Sequence, residues 1–417
     1  MVRAHYRPQI KNLTKLKTPD FFVSASAGVL ALMLTVSLPN CNNPGSVSGL
    51  SVDSLNLARD KMKAYVDNGE LPCVATLVMK DGKIVRQFTY GMADIEEGRA
   101  LTENSIFRIY SMSKPVTAAA LMILYDEGKF QLDDPVAMYI PAFKDTKVYV
   151  DGKVVDQQEP FTIRHLLTHT AGFTYGWEQG SYVDSLYRTL RTGGIWGTAT
   201  LEEMINAVAT IPLKHQPGTT YEYSISIDVA GYLAEMLSGM PFDKFLQDRL
   251  FDPLGMDDTG FGVPEKDFDR LTMIYTQNKD SGKLTPVPDM TNGVKQKVTL
   301  FSGGGGMVST ISDYSKFGQM LLNGGKLKGV RILQESTVKL IMSDQMPEAV
   351  PYDGGYGLGG YVNLEDGSYG WSGAASTDFV VNPSHNMVVL SFTQYVPFMG
   401  VPFADHYKRM VWNAVLK

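Results

Sequence analysis

The chain has 417 residues, of which 38 are Lys or Arg, 44 are Asp or Glu, and 44% are hydrophobic. That length and apolar content suffice for two or three domains with large cores, so no disulfide or metal staple is needed. The formal net charge of −6, without basic stripes interleaved with aromatic residues, argues against a nucleic-acid partner. The two cysteines, Cys41 and Cys73, and the histidines lack zinc-binding spacing, so we expect neither a metal nor a cofactor.

The N-terminal segment differs in character from the rest of the chain. Five Lys and Arg residues precede residue 20, and residues 21–38 are uncharged. This pattern resembles the basic and apolar regions of an export signal and predicts a periplasmic or secreted protein. Alternatives are an uncleaved anchor, which would confine membrane association to this segment, and a cytoplasmic enzyme with a misassigned start. We assign residues 1–49 to a signal or anchor segment and a linker rich in Gly, Pro and Ser.

Strands are predicted near both ends of the remaining chain, with helices between them. An amphipathic helix ends at Asn68-Gly69, and two apolar runs around Asp81-Gly82 predict a β-hairpin. Later helices are predicted at 132–140, 163–168, 201–209, 227–237, 242–250 and 403–416, and strands at 358–364, 377–382 and 387–393. This order predicts an α+β fold, in which residues 50–128 and 296–417 form one sheet domain and residues 129–295 a mainly helical insertion domain.

The segment Ser111-Met112-Ser113-Lys114 opens an apolar helix where the two predicted domains meet. Pro115 suits a first helical turn and Gly128 suits the end, so Ser111 and Lys114 share one face. A serine hydroxyl becomes nucleophilic when a nearby base takes its proton, and lysine is such a base if its pKa is depressed. By itself the pattern is more typical of a helix start with a capping serine. Its position where two domains meet favours catalysis.

Two further segments carry groups that such a serine could use. Tyr223 lies in a Pro-Gly loop before a predicted helix, where a phenol could relay a proton, whereas nearby Tyr221 is expected to pack. The segment Trp371-Ser372-Gly373-Ala374 lies between two late strands. A turn of small residues can offer a backbone N–H to an oxyanion, and an ordinary hairpin turn is the alternative.

Three other patterns predict no catalytic role. His165 and His169 lack a His-Glu-x-x-His pattern, so we expect them to be structural. The glycine run at 303–306 lacks the Gly-Lys-Ser/Thr ending of a phosphate-binding loop and predicts a close backbone approach. There is no Gly-x-Ser-x-Gly motif, which argues against an α/β-hydrolase.

These segments, in this order, resemble the serine β-lactamase and penicillin-binding superfamily, and most closely its class C β-lactamase-like branch with the family VIII carboxylesterases. The resemblance runs from about residue 50 to the C-terminus and includes His165-Leu166-Leu167-Thr168-His169-Thr170-Ala171-Gly172. It implies an antiparallel sheet flanked by helices, with an inserted helical domain. It also implies Ser111 as the acylated nucleophile, Lys114 and Tyr223 as the base and proton-relay pair, and the backbone N–H groups of Ser111 and Ala374 as the oxyanion hole.

Two departures from the class C pattern indicate the substrate. Ile225 stands where the family's Tyr-x-Asn motif has its amide, and Trp371-Ser372-Gly373 stands where Lys-Thr-Gly is found. Loss of that lysine removes a charge-assisted partner for a substrate carboxylate, worth about 1.5–3 kcal/mol. Trp371 offers apolar area instead, as in the family VIII esterases, some of which retain weak lactam hydrolysis.

We therefore expect a serine carboxylesterase that acts on small neutral esters with short to medium acyl chains. The resemblance assigns substrate binding to Trp371, Ser372, Gly373 and Ile225. Alternatives are a β-lactamase, a D-Ala peptidase or an acyltransferase of the same fold, and a non-catalytic relative that senses a ligand.

Overall fold

The computed structural model describes residues 45–416, and the predicted signal or anchor segment and Cys41 lie outside the described residues. The helices are α1 (Val52–Asp67), α2 (Ser113–Asp126), α3 (Ile163–Leu167), α4 (Tyr182–Thr192), α5 (Ile195–Thr198), α6 (Leu201–Ala209), α7 (Ser226–Ser238), α8 (Phe242–Leu246), α9 (Asp252–Leu254), α10 (Pro288–Asn292), α11 (Ile311–Leu322), α12 (Glu335–Ile341) and α13 (Phe403–Asn413). Between residues 45 and 416, no helix combines the length and the apolar character that a membrane crossing requires.

The strands are mostly short, apart from a long hairpin near the start of the described chain. They are β1 (Ser46–Val47), β2 (Leu50–Ser51), β3 (Cys73–Lys80), β4 (Lys83–Asp94), β5 (Arg99–Ala100), β6 (Phe107–Arg108), β7 (Val148–Val150), β8 (Lys153–Val155), β9 (Tyr275–Gln277), β10 (Leu284–Pro286), β11 (Val308–Ser309), β12 (Lys326–Leu327), β13 (Val330–Arg331), β14 (Gly355–Tyr356), β15 (Tyr361–Val362), β16 (Tyr369–Ser372), β17 (Thr377–Asn382), β18 (Met387–Phe392) and β19 (Tyr395–Val396).

An eight-stranded antiparallel sheet forms the centre of the fold, in the order β14-β15-β16-β17-β18-β3-β4-β5. Its strands come from residues 73–100 and from residues 355–392. The two groups meet at the β3–β18 pair, where Val78 lies opposite Val389. The predicted α+β class with an antiparallel sheet is therefore confirmed, while the domain boundaries near residues 128 and 295 stay a prediction.

Alternation along the central strands divides the core into two layers. In β3, Ala75 and Leu77 belong to the large core that contains α2 and α11, whereas Val74 and Val78 pack with α1 and α13. Successive side chains of a strand point to opposite faces, so the largely apolar sequence of β3 contributes to both layers. Cys73 belongs to the first layer as a free thiol, and burial raises its pKa to about 12.

The structure corrects two predictions of local structure. The helix expected at 132–140 is replaced by 3₁₀ turns at Val136–Met138 and Pro141–Phe143, because the Val136 N–H bonds to the Phe161 carbonyl instead and Pro141 disfavours a helical conformation at Ile140. The strand expected at 358–364 is limited to β15. Gly359 interrupts it with a φ of +76°, and a Cβ there would lie 2.8 Å from Ala118 of α2. The largely helical middle also contains the short antiparallel pairs β7–β8 and β9–β10.

Candidate active site

Ser111 lies on a tight turn between β6 and α2. It belongs to the 3₁₀ turn Tyr110–Met112, which continues directly into α2. Tyr110 has a φ of +42°, in a region that few non-glycine residues occupy, and its hydroxyl donates to the Met290 carbonyl at 3.0 Å. Met112 is fully buried, whereas Ser111 is partly exposed. The turn therefore presents the Ser111 hydroxyl at the open end of a buried helix.

Two proton-carrying side chains converge on that hydroxyl. Lys114 Nζ lies 3.3 Å from Ser111 Oγ and is completely buried. The Tyr223 hydroxyl, from the loop before α7, donates to Ser111 Oγ at 2.7 Å. Lys114 Nζ also lies 4.5 Å from the centre of the Tyr223 ring. The structure thus brings together the three side chains for which catalytic roles are predicted.

His169 fixes the backbone on both sides of Tyr223. Its carbonyl accepts the Glu222 N–H at 2.9 Å, and its Nδ1 accepts the Ser224 N–H at 3.3 Å. The His169 and Tyr223 rings pack with centroids 4.8 Å apart. Burial and the charge of Lys114 lower the pKa of His169 well below its usual value, which keeps the ring neutral and able to accept. His165 instead completes a capping box with Thr162 at the start of α3.

The glycine run at 303–306 passes between α2 and α7. Thr117 of α2 donates to the Gly303 carbonyl at 2.8 Å, and Lys114 Nζ donates to the Gly304 carbonyl at 2.5 Å. A Cβ on Gly304 would lie 2.5 Å from Asp228 Oδ2, closer than real Cβ contacts. The expected close backbone approach therefore lies directly beside the candidate site and holds Lys114.

Asp228, in the first turn of α7, is a site residue that the sequence analysis missed. It is 2% exposed and accepts from Ser302 Oγ at 2.5 Å and from the Gly304 N–H at 3.0 Å. Burial raises the pKa of Asp228, against the opposing effects of the Ser302 hydrogen bond and the Lys114 charge. Asp228 and Lys114 thus hold the backbone N–H and the carbonyl of the same residue, Gly304. An acidic residue within an apolar helical run was the available signal.

The segment Trp371-Ser372-Gly373-Ala374 differs in part from its prediction. Trp371 and Ser372 are the last residues of β16, and the turn begins only at Gly373. The Trp371 ring faces Tyr223, with centroids 5.7 Å apart. Gly373 packs so closely on the segment before Ser111 that a Cβ would lie 2.3 Å from the Ile109 carbonyl oxygen, and the adjacent Ala374 is exposed. The role of the Ala374 N–H as an oxyanion donor stays a prediction.

Two of the side chains expected to bind substrate, Ser372 and Ile225, make other contacts, so the expectation is wrong for these two. Ser372 Oγ donates to Asp378 at 2.6 Å, because neighbouring residues of a strand face opposite ways and Trp371 takes the side toward Tyr223. Ile225 is 0% exposed and belongs to the main hydrophobic core. Compared with the class C pattern, Ile225 replaces a polar amide at this position, and its buried side chain offers no surface to a substrate.

Lys214 ties the loop that carries Tyr223 to neighbouring segments. Its ammonium, on a side chain 12% exposed, lies 2.8 Å from Glu178, 3.2 Å from Asp184 and 3.0 Å from Glu222, the residue before Tyr223. Burial would raise the pKa of Glu222, but hydrogen bonds from His215 and Lys214 outweigh it and lower that pKa. The carboxylates also raise the pKa of Lys214 above its usual value, against its burial.

We expect Lys214→Met to lower the free energy of unfolding by about 2 kcal/mol at pH 7, because three carboxylates lose a charged donor. A carboxyl group whose pKa is lower in the folded protein than in the unfolded chain stabilises the fold at pH values above its unfolded pKa, about 4.3 for Glu. This stability is lost as the pH falls through the folded pKa. The raised Lys214 pKa has its full effect below about pH 10. Urea unfolding should therefore show that the difference in unfolding free energy between Lys214→Met and wild type becomes smaller in acid.

Lys147→Met is the matched control, since its ion pair with Asp156 joins side chains that are 48% and 84% exposed. Ion pairs this exposed to solvent contribute little to stability, so Lys147→Met should unfold close to wild type. Equal losses for the two variants, or a Lys214→Met loss independent of pH, would contradict the proposed anchoring.

The described residues contain no cluster of three or more His, Cys, Asp or Glu side chains that could hold a metal ion.

Comparison with known proteins finds the same organisation elsewhere. The family model described as Beta-lactamase matches residues 58–409. Protein Rv1367c of Mycobacterium tuberculosis is 30% identical over 376 residues, which cover 82% of this chain and 90% of that protein. Esterase EstB of Burkholderia gladioli is 33% identical over 268 residues, covering 63% of this chain and 64% of EstB.

Solved structures share the fold over most of the chain. EstCE1, described as a hydrolase with promiscuous acyltransferase activity, superimposes with a TM-score of 0.74 at 25% identity and covers 88% of this chain and 99% of its own. A family VIII carboxylesterase superimposes with a TM-score of 0.68 at 18% identity, over 87% of this chain and 97% of its own. The predicted β-lactamase and penicillin-binding-protein-like fold, and the resemblance drawn from the motifs, are confirmed.

Proposed function

This chain belongs to the Beta-lactamase family and is a serine hydrolase of the β-lactamase fold, and from that premise we propose that it cleaves neutral carboxylic esters with short to medium acyl chains. The observation that carries the proposal is the convergence of Lys114 and Tyr223 on Ser111 Oγ beside an apolar Trp371. The names of the relatives EstB and EstCE1, an esterase and a hydrolase, support it.

The proposed reaction begins with Ser111. Its Oγ adds to the ester carbonyl carbon as its proton passes to the Lys114 and Tyr223 pair. Both groups donate to Oγ in the resting geometry, so one of them must first release a proton to solvent water to become the acceptor. The carbonyl oxygen becomes an oxyanion, for which the Ser111 and Ala374 N–H groups are the proposed donors.

In the second half of the reaction the proton passes from the Lys114 and Tyr223 pair to the leaving alcohol, and the acyl-enzyme is then hydrolysed. The bond between the carbonyl carbon and the alcohol oxygen breaks, the departing alcohol takes the proton from the Lys114 and Tyr223 pair, and the acyl group remains on Ser111. A water molecule then gives up a proton to the same pair and adds to the acyl carbon. Collapse of this intermediate releases the carboxylic acid and restores the Ser111 hydroxyl.

The preference for a neutral ester follows from what lines the site beside Tyr223. A lactam or a D-Ala peptide brings a carboxylate, which needs a cationic partner. At the position where the class C pattern has lysine, this chain has Trp371, whose ring lies against Tyr223. An uncharged acyl chain gains from this apolar surface without needing a partner for a charge.

Parallel assays with p-nitrophenyl butyrate and nitrocefin test the proposal. We expect a higher kcat/KM for the ester, an acyl adduct on Ser111 by mass spectrometry, and a loss of about 10⁴-fold or more in kcat for Ser111→Ala. Ser113→Ala is the matched control, because Ser113 is buried and accepts the Met307 N–H. A higher kcat/KM for nitrocefin would identify a β-lactamase, and the absence of both turnover and any Ser111 adduct would identify a non-catalytic relative.

A further inference from the structure

A row of aromatic rings leads from Tyr223 toward the surface. Tyr175 and Trp177 stack with centroids 4.7 Å apart and planes 20° apart. The Tyr223 ring lies 5.5 Å from Tyr175 and 6.0 Å from Trp177, and Trp371 closes the row at 5.7 Å from Tyr223. We call these four residues the aromatic wall. The tyrosine at its centre is the one whose hydroxyl donates to Ser111 Oγ.

Trp177 forms the open end of the aromatic wall. It is 50% exposed, although tryptophan is the largest hydrophobic side chain and gains most from burial. The hydrophobic core therefore does not account for it. Trp177 packs against the Tyr223 ring, whose hydroxyl donates to Ser111 Oγ. It is therefore placed to contact a substituent of a substrate bound at Ser111.

The backbone around Trp177 is held from both sides. The Gly176 N–H donates to Thr174 Oγ1 at 3.2 Å, and Arg188 donates to the carbonyls of Gly176 at 2.9 Å and Glu178 at 2.8 Å. The Glu178 carboxylate is paired with Lys214. A backbone fixed in this way loses little further freedom when the side chain that it carries contacts a ligand, which favours binding.

The charge beside the aromatic wall indicates what kind of ligand it takes. Lys114 Nζ lies 4.5 Å from the Tyr223 ring centre and 5.4 Å from that of Tyr175. Cations bind to the faces of aromatic rings, and at these two rings Lys114 already occupies that position. The remaining open surface suits an uncharged planar ring, for which stacked and edge contacts are favourable.

We propose that the aromatic wall binds an aromatic ring of the substrate, so that the ester hydrolysed at Ser111 carries an aryl group. This inference rests on the proposed esterase function and narrows its substrate class. The aryl group can belong to the acyl half or to the alcohol half, and the two sources share the same contact with Trp177.

Two pairs of esters distinguish whether the aryl group belongs to the alcohol half or to the acyl half. The two esters of a pair differ only in whether the ring is aromatic or saturated. Benzyl acetate against cyclohexylmethyl acetate tests the alcohol half, and methyl phenylacetate against methyl cyclohexylacetate tests the acyl half. We expect the wild type to prefer the aryl ester of at least one pair by about threefold to tenfold in kcat/KM. Trp177→Ala should remove this preference and Trp177→Phe should restore part of it.

Tyr182→Ala is the matched control, because Tyr182 is also half exposed and also packs on a tyrosine, Tyr149, at 4.7 Å. It should keep the wild-type preference. Equal kcat/KM values for the aryl and the cyclohexyl ester of both pairs, or an aryl preference unchanged in Trp177→Ala, would overturn this inference. The esterase proposal would stand in either case. No turnover of any of the four esters, with no adduct on Ser111, would instead reject the esterase proposal itself.

Discussion

Lys114→Ala is expected to lower kcat/KM for p-nitrophenyl butyrate by about 10²–10⁴-fold, the range that a positioned general base contributes. Lys114 Nζ is the buried amine nearest to Ser111 Oγ in the described site, at 3.3 Å, and it also holds the Gly304 carbonyl. Alanine removes both contacts. Tyr223 would keep its hydrogen bond to Ser111, so the binding surface and part of the proton path remain.

Thr117→Val separates the role of Lys114 in proton transfer from its role in holding the glycine run. Thr117 lies one turn further along α2 and donates to the Gly303 carbonyl at 2.8 Å. Its loss should affect the loop but leave the proton path complete, with a change in turnover well below that of Lys114→Ala. Rates of Ser111 acylation and circular dichroism would be recorded for both. Near-normal acylation in a folded Lys114→Ala protein would show that Lys114 is not the base.

Gly304→Ala is expected to lower kcat by about 100-fold, the cost of misplacing a catalytic group by about 1 Å. The new Cβ would lie 2.5 Å from Asp228 Oδ2 and 3.0 Å from the Tyr175 hydroxyl, so the peptide must move. The Gly304 carbonyl accepts from Lys114 Nζ, and the Gly304 N–H donates to Asp228. We also expect overpacking to lower the free energy of unfolding by about 1–3 kcal/mol.

Gly305→Ala provides the control within the same run. A Cβ on Gly305 would have Tyr110 as its nearest neighbour, at an ordinary contact distance of 3.8 Å. This variant should keep turnover within a few-fold of wild type and keep its stability. Comparable activity in the two variants would mean that the Gly304 peptide does not position Lys114.

Much of the fold could be read from the sequence where local pattern and tertiary environment agree. The hairpin of β3 and β4 follows from two apolar runs around Asp81-Gly82, and both residues have the positive φ that the turn requires. Helix α2 begins and ends close to where Pro115 and Gly128 predict. The predicted helix at 132–140 is wrong because its apolar spacing is helical, whereas Val136 pairs with the distant Phe161 carbonyl and Pro141 disfavours a helical Ile140.

The candidate site likewise contains residues that sequence motifs identify and residues whose role depends on tertiary contacts. Ser111, Lys114 and Tyr223 could be found because each belongs to a short motif of fixed spacing. Asp228 left only a weak signal, an acidic residue within an apolar helical run, and Trp177 was not singled out, since the importance of both depends on contacts between segments that are far apart in the chain. Asp228 acts on the glycine run about 75 residues later. The burial of Ile225 and the orientation of Ser372 were likewise decided by packing and strand alternation, which a motif does not contain.

The junction of β3 with β18 also bears on how the chain acquires its structure. Val78 and Val389, paired at the centre of the sheet, are about 310 residues apart along the chain. During synthesis β3 and β4 emerge early and can form their hairpin, but the open edge of β3 has no native partner until β18 has been made. Long-range pairing of this kind is slow and leaves an apolar strand edge exposed. We infer that Ser111, although encoded in the first third of the chain, becomes part of a finished site only after the last strands have left the ribosome.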